Sequence, residues 1–294
     1  SLAYYGAWVP NTALAKLNTG LIPAAELAVE GLRYCYNSLR VDPITLITIA
    51  VAALLALSMR SERHLALAIG CALYLLYIIR IGGDFMSGRF FTAPLFVAIG
   101  IFVTLPWAAW GDGDYRVVVA LGIVLAVVGI TAPYTPLRAP GGIRADMDAD
   151  IWIAGRGITD ERANYYPATA LLNALGATEP FPNHDWAIEG RQARLEGPHV
   201  VVKGSVGLYG YYAGPEVTVV DLLALGDPLL ARLPVMDPEW KIGHYGRYLP
   251  EGYLATLERG ENVIADPDLA RFYDRLSAGD QRRWTRRDGG RSGA

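Results

Sequence analysis

The sequence predicts a polytopic α-helical membrane domain of four spans, followed by a soluble mixed α/β domain on the exterior side. Three observations predict it. Four apolar stretches follow one another within residues 43–132, joined by short polar links. Charged residues in that part of the chain are confined to the links. After Pro133 the composition changes to that of an ordinary water-soluble domain.

A helix needs roughly 20 apolar residues to cross a hydrocarbon core ~30 Å thick. Residues 43–59 carry no charge after Asp42, and residues 65–79 are equally clean between His64 and Arg80. Residues 90–110 are longer and contain Pro94 and Pro106, and residues 117–132 follow directly on Arg116. One such stretch would suit a buried helix of a soluble protein, whereas four in succession favour spans. The link holding Arg60 and Arg63 marks the cytoplasmic side by the positive-inside rule. Counting outward, residues 1–42, the run around Asp84 and everything after Pro133 fall on the exterior side.

Residues 1–42 form an exterior or interfacial segment, since Lys16, Glu26, Glu30, Arg33 and Arg40 rule out a span. Leu27, Leu32, Tyr36 and Leu39, with Val29 and Cys35 nearby, leave an apolar face suited to an amphipathic helix at the membrane surface. Tyr4, Tyr5 and Trp8 are the aromatics expected at headgroup level. Residues 134–143 read as a linker and 144–280 as one α/β domain. Within it, residues 163–175 read as a helix with Asp160 as its cap. Residues 199–203, 208–212 and 217–220 read as strands, and 229–233, 252–258 and 267–276 as helices. Residues 281–294, with Arg282, Arg283, Arg286 and Arg287, read as a mobile, solvated tail.

Several function classes drop out. The chain has 294 residues, is 52% hydrophobic and sets 26 basic against 29 acidic side chains, a formal charge of −3. That balance and the lack of zinc-finger or homeodomain patterns argue against a nucleic-acid partner. Cys35 and Cys71 are too few for a disulfide framework. No Walker loop or dinucleotide fingerprint is present, which disfavours soluble-nucleotide chemistry. Asp146, Asp148 and Asp150 alternate like a calcium loop, but the required glycine and closing glutamate are missing. His64, His184, His199 and His244 show no zinc or triad spacing.

The chemistry-bearing run is Arg80-Ile81-Gly82-Gly83-Asp84-Phe85-Met86-Ser87-Gly88-Arg89. It places one acid, two arginines and three glycines between two apolar segments, where charges are rarely idle. The glycines permit a sharp turn or a close approach to a ligand. The Arg89 fork suits phosphate, and Arg80 offers a second charge. Asp84 has three readings: orienting a sugar hydroxyl, holding a divalent cation, or pairing with Arg89. The alternative for the run is an interfacial loop with a snorkelling arginine and a capping aspartate. Tyr4, Tyr5, Asn11 and Lys16 supply aromatics, an amide and a point charge for a second wall, or else an aromatic belt.

Tyr4-Tyr5-Gly6, Pro10-Asn11-Thr12 and Ala15-Lys16, followed by Gly82-Gly83-Asp84-Phe85-Met86 and Gly88-Arg89, resemble the bacterial polyprenyl-phosphate-dependent glycosyltransferases of the GT-C type. Added to these are residues 159–162 (Thr-Asp-Glu-Arg), 210–215 and 227–234, with Trp240-Lys241-Ile242-Gly243-His244-Tyr245. Together they are similar to the arabinofuranosyltransferases of mycobacteria and corynebacteria. The resemblance implies transfer of arabinofuranose from decaprenyl-phosphoryl-arabinose to cell-wall arabinan, outside the cytoplasmic membrane and with inversion at the anomeric centre. It implies donor contacts from Arg89, Arg80, Tyr4, Tyr5, Asn11, Lys16 and Gly83, with Asp84 as the catalytic carboxylate in view. Trp186, Tyr211, Tyr212 and Trp240 are the side chains expected to grip the acceptor. The resemblance calls for no firm cofactor, although a divalent cation is compatible with Asp84.

Ser1 opens the chain without an initiator Met or the features of a signal peptide. The chain is therefore expected to be a carboxy-terminal part, with the principal catalytic acid on an earlier exterior loop. Membrane lipid and that amino-terminal part are then its expected partners. Two alternatives stand beside this: a GT-C enzyme using another polyprenyl-phosphate sugar such as mannose, and a non-catalytic, membrane-anchored glycan-binding or assembly subunit. A transporter is disfavoured, because the spans hold too few polar residues to line a path.

Overall fold

The computed structural model describes residues 8–17, 19–58, 61–105, 112–132, 157–176, 178–235 and 240–288. In chain order the elements are α1 (Asn11–Leu17), α2 (Ala24–Val41), α3 (Pro43–Ser58), α4 (Glu62–Arg80), α5 (Thr92–Thr104), α6 (Asp112–Thr131), α7 (Arg162–Thr169) and α8 (Leu171–Ala174). There follow α9 (Asp185–Glu196), β1 (His199–Lys203), α10 (Gly207–Ala213), β2 (Val217–Asp221), α11 (Tyr253–Arg259) and α12 (Pro267–Asp288). They gather in two compact units, one formed by residues 22–176 and the other by 1–21 with 177–294.

In the unit of residues 22–176, prolines set several helix limits. Asp42 leaves the helical region, at φ −141° and ψ 77°, because Pro43 follows it. α2 and α3 consequently meet at 107°. Leu105 is extended, at ψ 141°, because Pro106 comes next, and this holds α5 to 13 residues. At 1.5 Å per residue, α5 covers about 20 Å. Four full-length spans are more than the described helices show. Apolar helices stand in all four expected places, but among the described residues only α4 is by itself long and apolar enough to cross a membrane. The bent α2–α3 pair passes the same test together, and α5 and the apolar part of α6 are shorter.

The apolar surface of these helices points outward. Leu73 and Leu76 of α4 are each 61% exposed, and Phe96 and Val103 of α5 are each 75% exposed. The core helix of a water-soluble domain would bury such residues, whereas contiguous exposed apolar faces suit lipid or protein contact. In α2 the polarity is inverted outright. Its inward stripe is Leu27, Glu30, Gly31, Tyr34, Asn37 and Ser38, while Val29, Leu32, Tyr36 and Leu39 face out. The apolar face read in the sequence exists, but the polar face makes the internal contacts. α7 and α8 occupy the helix expected over 163–175, broken at Ala170, whose ψ is 132°. The Asn173 amide caps the break by donating to the Tyr166 and Pro167 carbonyls, at 3.0 and 3.2 Å.

In the other unit, β1 and β2 pair in parallel, from His199 opposite Val217 to Lys203 opposite Asp221. Parallel neighbours need a crossover rather than a hairpin, and α10 supplies it. The strand expected over 208–212 is thus a helix, with Tyr209 and Ala213 buried four residues apart on one face. Val220, Leu229, Leu230 and Tyr253 form the core, together with Ala15 from α1. Three buried charged groups tie its loops. Asp221 accepts from the backbone N–H groups of Leu223, Leu225 and Gly226. Arg247 donates to the carbonyls of Leu233, Tyr245 and Ala15. Asp227 accepts from the N–H groups of Leu229 and Leu230 and from the Tyr253 hydroxyl. Burial nevertheless outweighs those bonds and pushes the Asp227 carboxyl above its usual range. α12 continues to Asp288, into the segment expected to be a mobile tail.

Candidate functional site

The loop joining α4 to α5 carries the glycine, aspartate and arginine run. Its first act is to end α4. The Gly82 N–H bonds the Ile79 carbonyl at 3.2 Å and the Gly83 N–H bonds the Ile78 carbonyl at 2.8 Å, the paired bonds of a Schellman turn. Both glycines have positive φ, 88° and 75°. A Cβ on Gly83 would lie 2.5 Å from Tyr34 Cβ, so a glycine is required there for the turn and for the approach of α2.

Asp84 follows at once and is 1% exposed. Its Oδ1 accepts a 2.7 Å hydrogen bond from Arg89 Nη2, and its Oδ2 lies 2.6 Å from the same nitrogen. No hydrogen bond to Oδ2 satisfies the buried atom among the described residues. The Arg89 guanidinium also lies 5.4 Å from the centre of the Phe85 ring and 5.3 Å from that of Phe90. Its Nη1 is 3.1 Å from Met86 Sδ. One end of the fork is therefore anchored by a buried carboxylate and two aromatic rings, while the side chain keeps 40% of its exposure. A preorganised, partly open guanidinium of this kind suits a phosphate or carboxylate ligand.

Two further segments hold the loop. From α2, the Tyr34 hydroxyl donates to the Met86 carbonyl at 3.0 Å and accepts from the Phe90 N–H at 3.1 Å. One turn on, Asn37 Oδ1 accepts from Ser87 Oγ at 2.6 Å. From beyond the linker, Thr159 forms a parallel bridge to Met86, its N–H on the Phe85 carbonyl and its carbonyl on the Ser87 N–H. The bridge carries Asp160, Glu161 and Arg162 to the loop. The N-cap of α7 is Glu161 and not the expected Asp160, which lies one residue ahead, accepts from the Arg162 N–H at 3.1 Å and holds the Arg162 guanidinium at 2.7 Å.

The expected site residues divide as follows. Asp84, Arg89 and Gly83 are brought together with Tyr34, and Arg80 ends α4 with an exposed side chain. Tyr4 and Tyr5 lie outside the described residues, as do Asp146, Asp148 and Asp150. Asn11 and Lys16 lie on α1 in the other unit, where Asn11 Oδ1 accepts from Arg232 at 3.1 Å. Of the acceptor aromatics, Tyr211 is 78% exposed and lies edge-on to Tyr212, whose ring sits under Arg191 at 4.9 Å. Trp186 is half-buried, and Trp240 is 5% exposed with its ring against Tyr245, so it offers little face to a ligand. Among the described residues, no three His, Cys, Asp or Glu side chains cluster as a metal site. The sequence reading missed Tyr34, Asn37 and the structural part of Thr159. Glu30, Tyr34, Asn37 and Ser38 recur at helical spacing along α2, and that polar stripe is the sequence signal that marks Tyr34 and Asn37.

No family model matches the chain, and no solved structure matches it. Two curated relatives do. A terminal β-(1→2)-arabinofuranosyltransferase of Corynebacterium glutamicum is 25% identical over 92% of this chain and 48% of its own length. The enzyme of the same name from Mycobacterium tuberculosis is 25% identical over 86% of this chain and 50% of its own. The chain thus spans about half the length of the curated relatives it matches. The likeness read from the motifs is borne out: over most of its length this chain is similar to terminal β-(1→2)-arabinofuranosyltransferases.

Proposed function

We propose that the full-length protein is a membrane glycosyltransferase that transfers arabinofuranose from decaprenyl-phosphoryl-arabinose to the ends of cell-wall arabinan. The observation that carries this reading is Arg89, fixed by buried Asp84 and by Phe85 and Phe90, yet open on one side at the junction of two apolar helices. A lipid-linked sugar places its phosphate at such a level while its tail remains in hydrocarbon. The similarity to two arabinofuranosyltransferases supports the choice of sugar. In this reading the protein is a multi-pass GT-C enzyme of the cytoplasmic membrane, its α/β domain outside, and Tyr211 with Tyr212 offers a stacking surface to the acceptor.

The chemistry follows from the leaving group. The bond between the anomeric carbon and the phosphate oxygen breaks, and the polyprenyl phosphate departs with the electron pair. Arg89 stabilises the charge that develops there. An acceptor hydroxyl oxygen bonds the opposite face of the anomeric carbon, inverting it, and gives its proton to a carboxylate. Asp84 is buried and already engaged with Arg89, so its role is to orient the guanidinium. The proton-accepting carboxylate is a different one, on an exterior loop.

The test is consumption of decaprenyl-phosphoryl-arabinose by the full-length protein with an arabinan acceptor. Arg89→Ala is expected to cut turnover by about 100-fold or more, the usual loss of one charge-stabilising donor. Turnover unchanged in Arg89→Ala contradicts the reading. Arabinan binding by the wild-type protein without any consumption of donor would make it a glycan-binding subunit instead.

A further inference from the structure

We propose that Tyr34 is a positioning residue for donor binding, its hydroxyl setting the geometry of the Arg89 guanidinium through the backbone on either side of it. The inference rests on the phosphate-binding reading of Arg89 and adds the element that makes the site selective for one ligand geometry. Apart from Asp84, the side chains that locate the guanidinium are Met86, Phe85 and Phe90. Tyr34 holds two of these three by their main chain, donating to the Met86 carbonyl and accepting from the Phe90 N–H. One hydroxyl therefore closes the turn of residues 86–90 across its base.

The ring is fixed independently of the hydroxyl. It stacks on Phe91 with centroids 5.0 Å apart, meets Phe90 edge-on at 6.2 Å, and packs over Gly83. Tyr34 is 0% exposed, so its rotamer is locked by packing. Asn37, three residues along the same face of α2, grips the turn from its other side through Ser87. α2 thus acts as a template, pressing a polar stripe onto the loop while its apolar face looks outward. Loss of the hydroxyl leaves the half-buried Phe90 N–H without its partner and the Met86 carbonyl with only the long Arg89 N–H bond of 3.4 Å, and frees the turn to shift; displacements near 1 Å cost binding geometry heavily.

The test uses the full-length protein, decaprenyl-phosphoryl-arabinose and an arabinan acceptor, with Tyr34→Phe, Asn37→Ala and Arg89→Ala compared. Tyr34→Phe keeps the stacking and removes only the hydroxyl. It is expected to raise KM for the lipid donor about tenfold while leaving acceptor KM unchanged. Asn37→Ala is expected to raise donor KM in the same direction by a smaller factor, and it carries the test if Tyr34→Phe does not fold. A merely structural role would lower the active fraction and thermal stability with both KM values unchanged, and that result overturns the inference. If Arg89→Ala abolishes turnover while Tyr34→Phe and Asn37→Ala keep the wild-type donor KM, the positioning role fails and the phosphate reading stands. If Arg89→Ala turns over normally, both fail together.

Discussion

Replacing Gly83 with alanine should damage the protein more than the same change at Gly88, and the structure supplies the difference. Both glycines have positive φ, 75° and 73°. An L-residue there costs about 1–2 kcal/mol in either case. At Gly88 nothing lies within 4 Å of a new Cβ. At Gly83 the new atom would sit 2.5 Å from Tyr34 Cβ and 2.6 Å from Cγ. Carbon atoms in contact prefer about 3.5–4.0 Å, so α2 and the loop must part by roughly 1 Å. Overpacking of this kind adds about 1–3 kcal/mol, giving about 2–5 kcal/mol for Gly83→Ala. Thermal unfolding of the purified full-length protein should show a midpoint lowered by several degrees for Gly88→Ala and by about 5–15 °C for Gly83→Ala. Donor turnover should fall with Gly83→Ala, because the displaced loop carries Asp84 and Arg89. Equal effects of the two substitutions would refute the argument that Tyr34 packing, and not φ alone, demands the glycine.

Two further predictions concern the α/β unit. Burial raises the Asp227 carboxyl above its ordinary value of 3.8, so the folded state holds that proton more tightly than the unfolded state. The stabilising contribution is complete below 3.8 and is lost as pH rises through the raised value. Each tenfold difference in proton affinity is worth about 1.4 kcal/mol. Asp227→Asn should therefore gain on the wild type as pH climbs through that window in denaturant titrations, and a pH-independent gap between the two would contradict this. Arg247→Met should loosen the unit by about 3–5 kcal/mol, since three carbonyls, those of Tyr245 and Ala15 buried and that of Leu233 half-buried, lose a charged donor. Amide exchange should then quicken along α1, whose Ala15 carbonyl is one of the three, and unchanged exchange there would count against the assignment.

Much of this was legible because the physical signals were local. The Gly82-Gly83 pair after an apolar helix was readable as a sharp turn, and pairing with Arg89 was one of three readings of Asp84, the one the structure shows. β1 and β2 were readable from branched residues between turn signals. What was missed depends on long-range pairing. Residues 208–212 look like a strand until β1 and β2 are known to be parallel, which forces a helical crossover. The break at Ala170 and the continuation of α12 to Asp288 are boundary effects that periodicity does not locate. Of α2, the outward apolar face was legible and the partner of its polar stripe was not. Its outward Leu32, Tyr36 and Leu39 fit the membrane-surface face expected of it, whereas the loop contacts of Tyr34 and Asn37 join residues 52 and 50 apart in sequence, which periodicity does not show. The polar stripe of α2 faces the loop of residues 82–90 and holds it through Tyr34 and Asn37.

The most direct measurement is the structure of the full-length protein with a non-transferable analogue of decaprenyl-phosphoryl-arabinose bound. The analogue's phosphate is expected within hydrogen-bonding distance of the Arg89 guanidinium, with the Asp84 tether and the Tyr34 bonds intact. A phosphate bound elsewhere, with Arg89 touching neither donor nor acceptor, would contradict it.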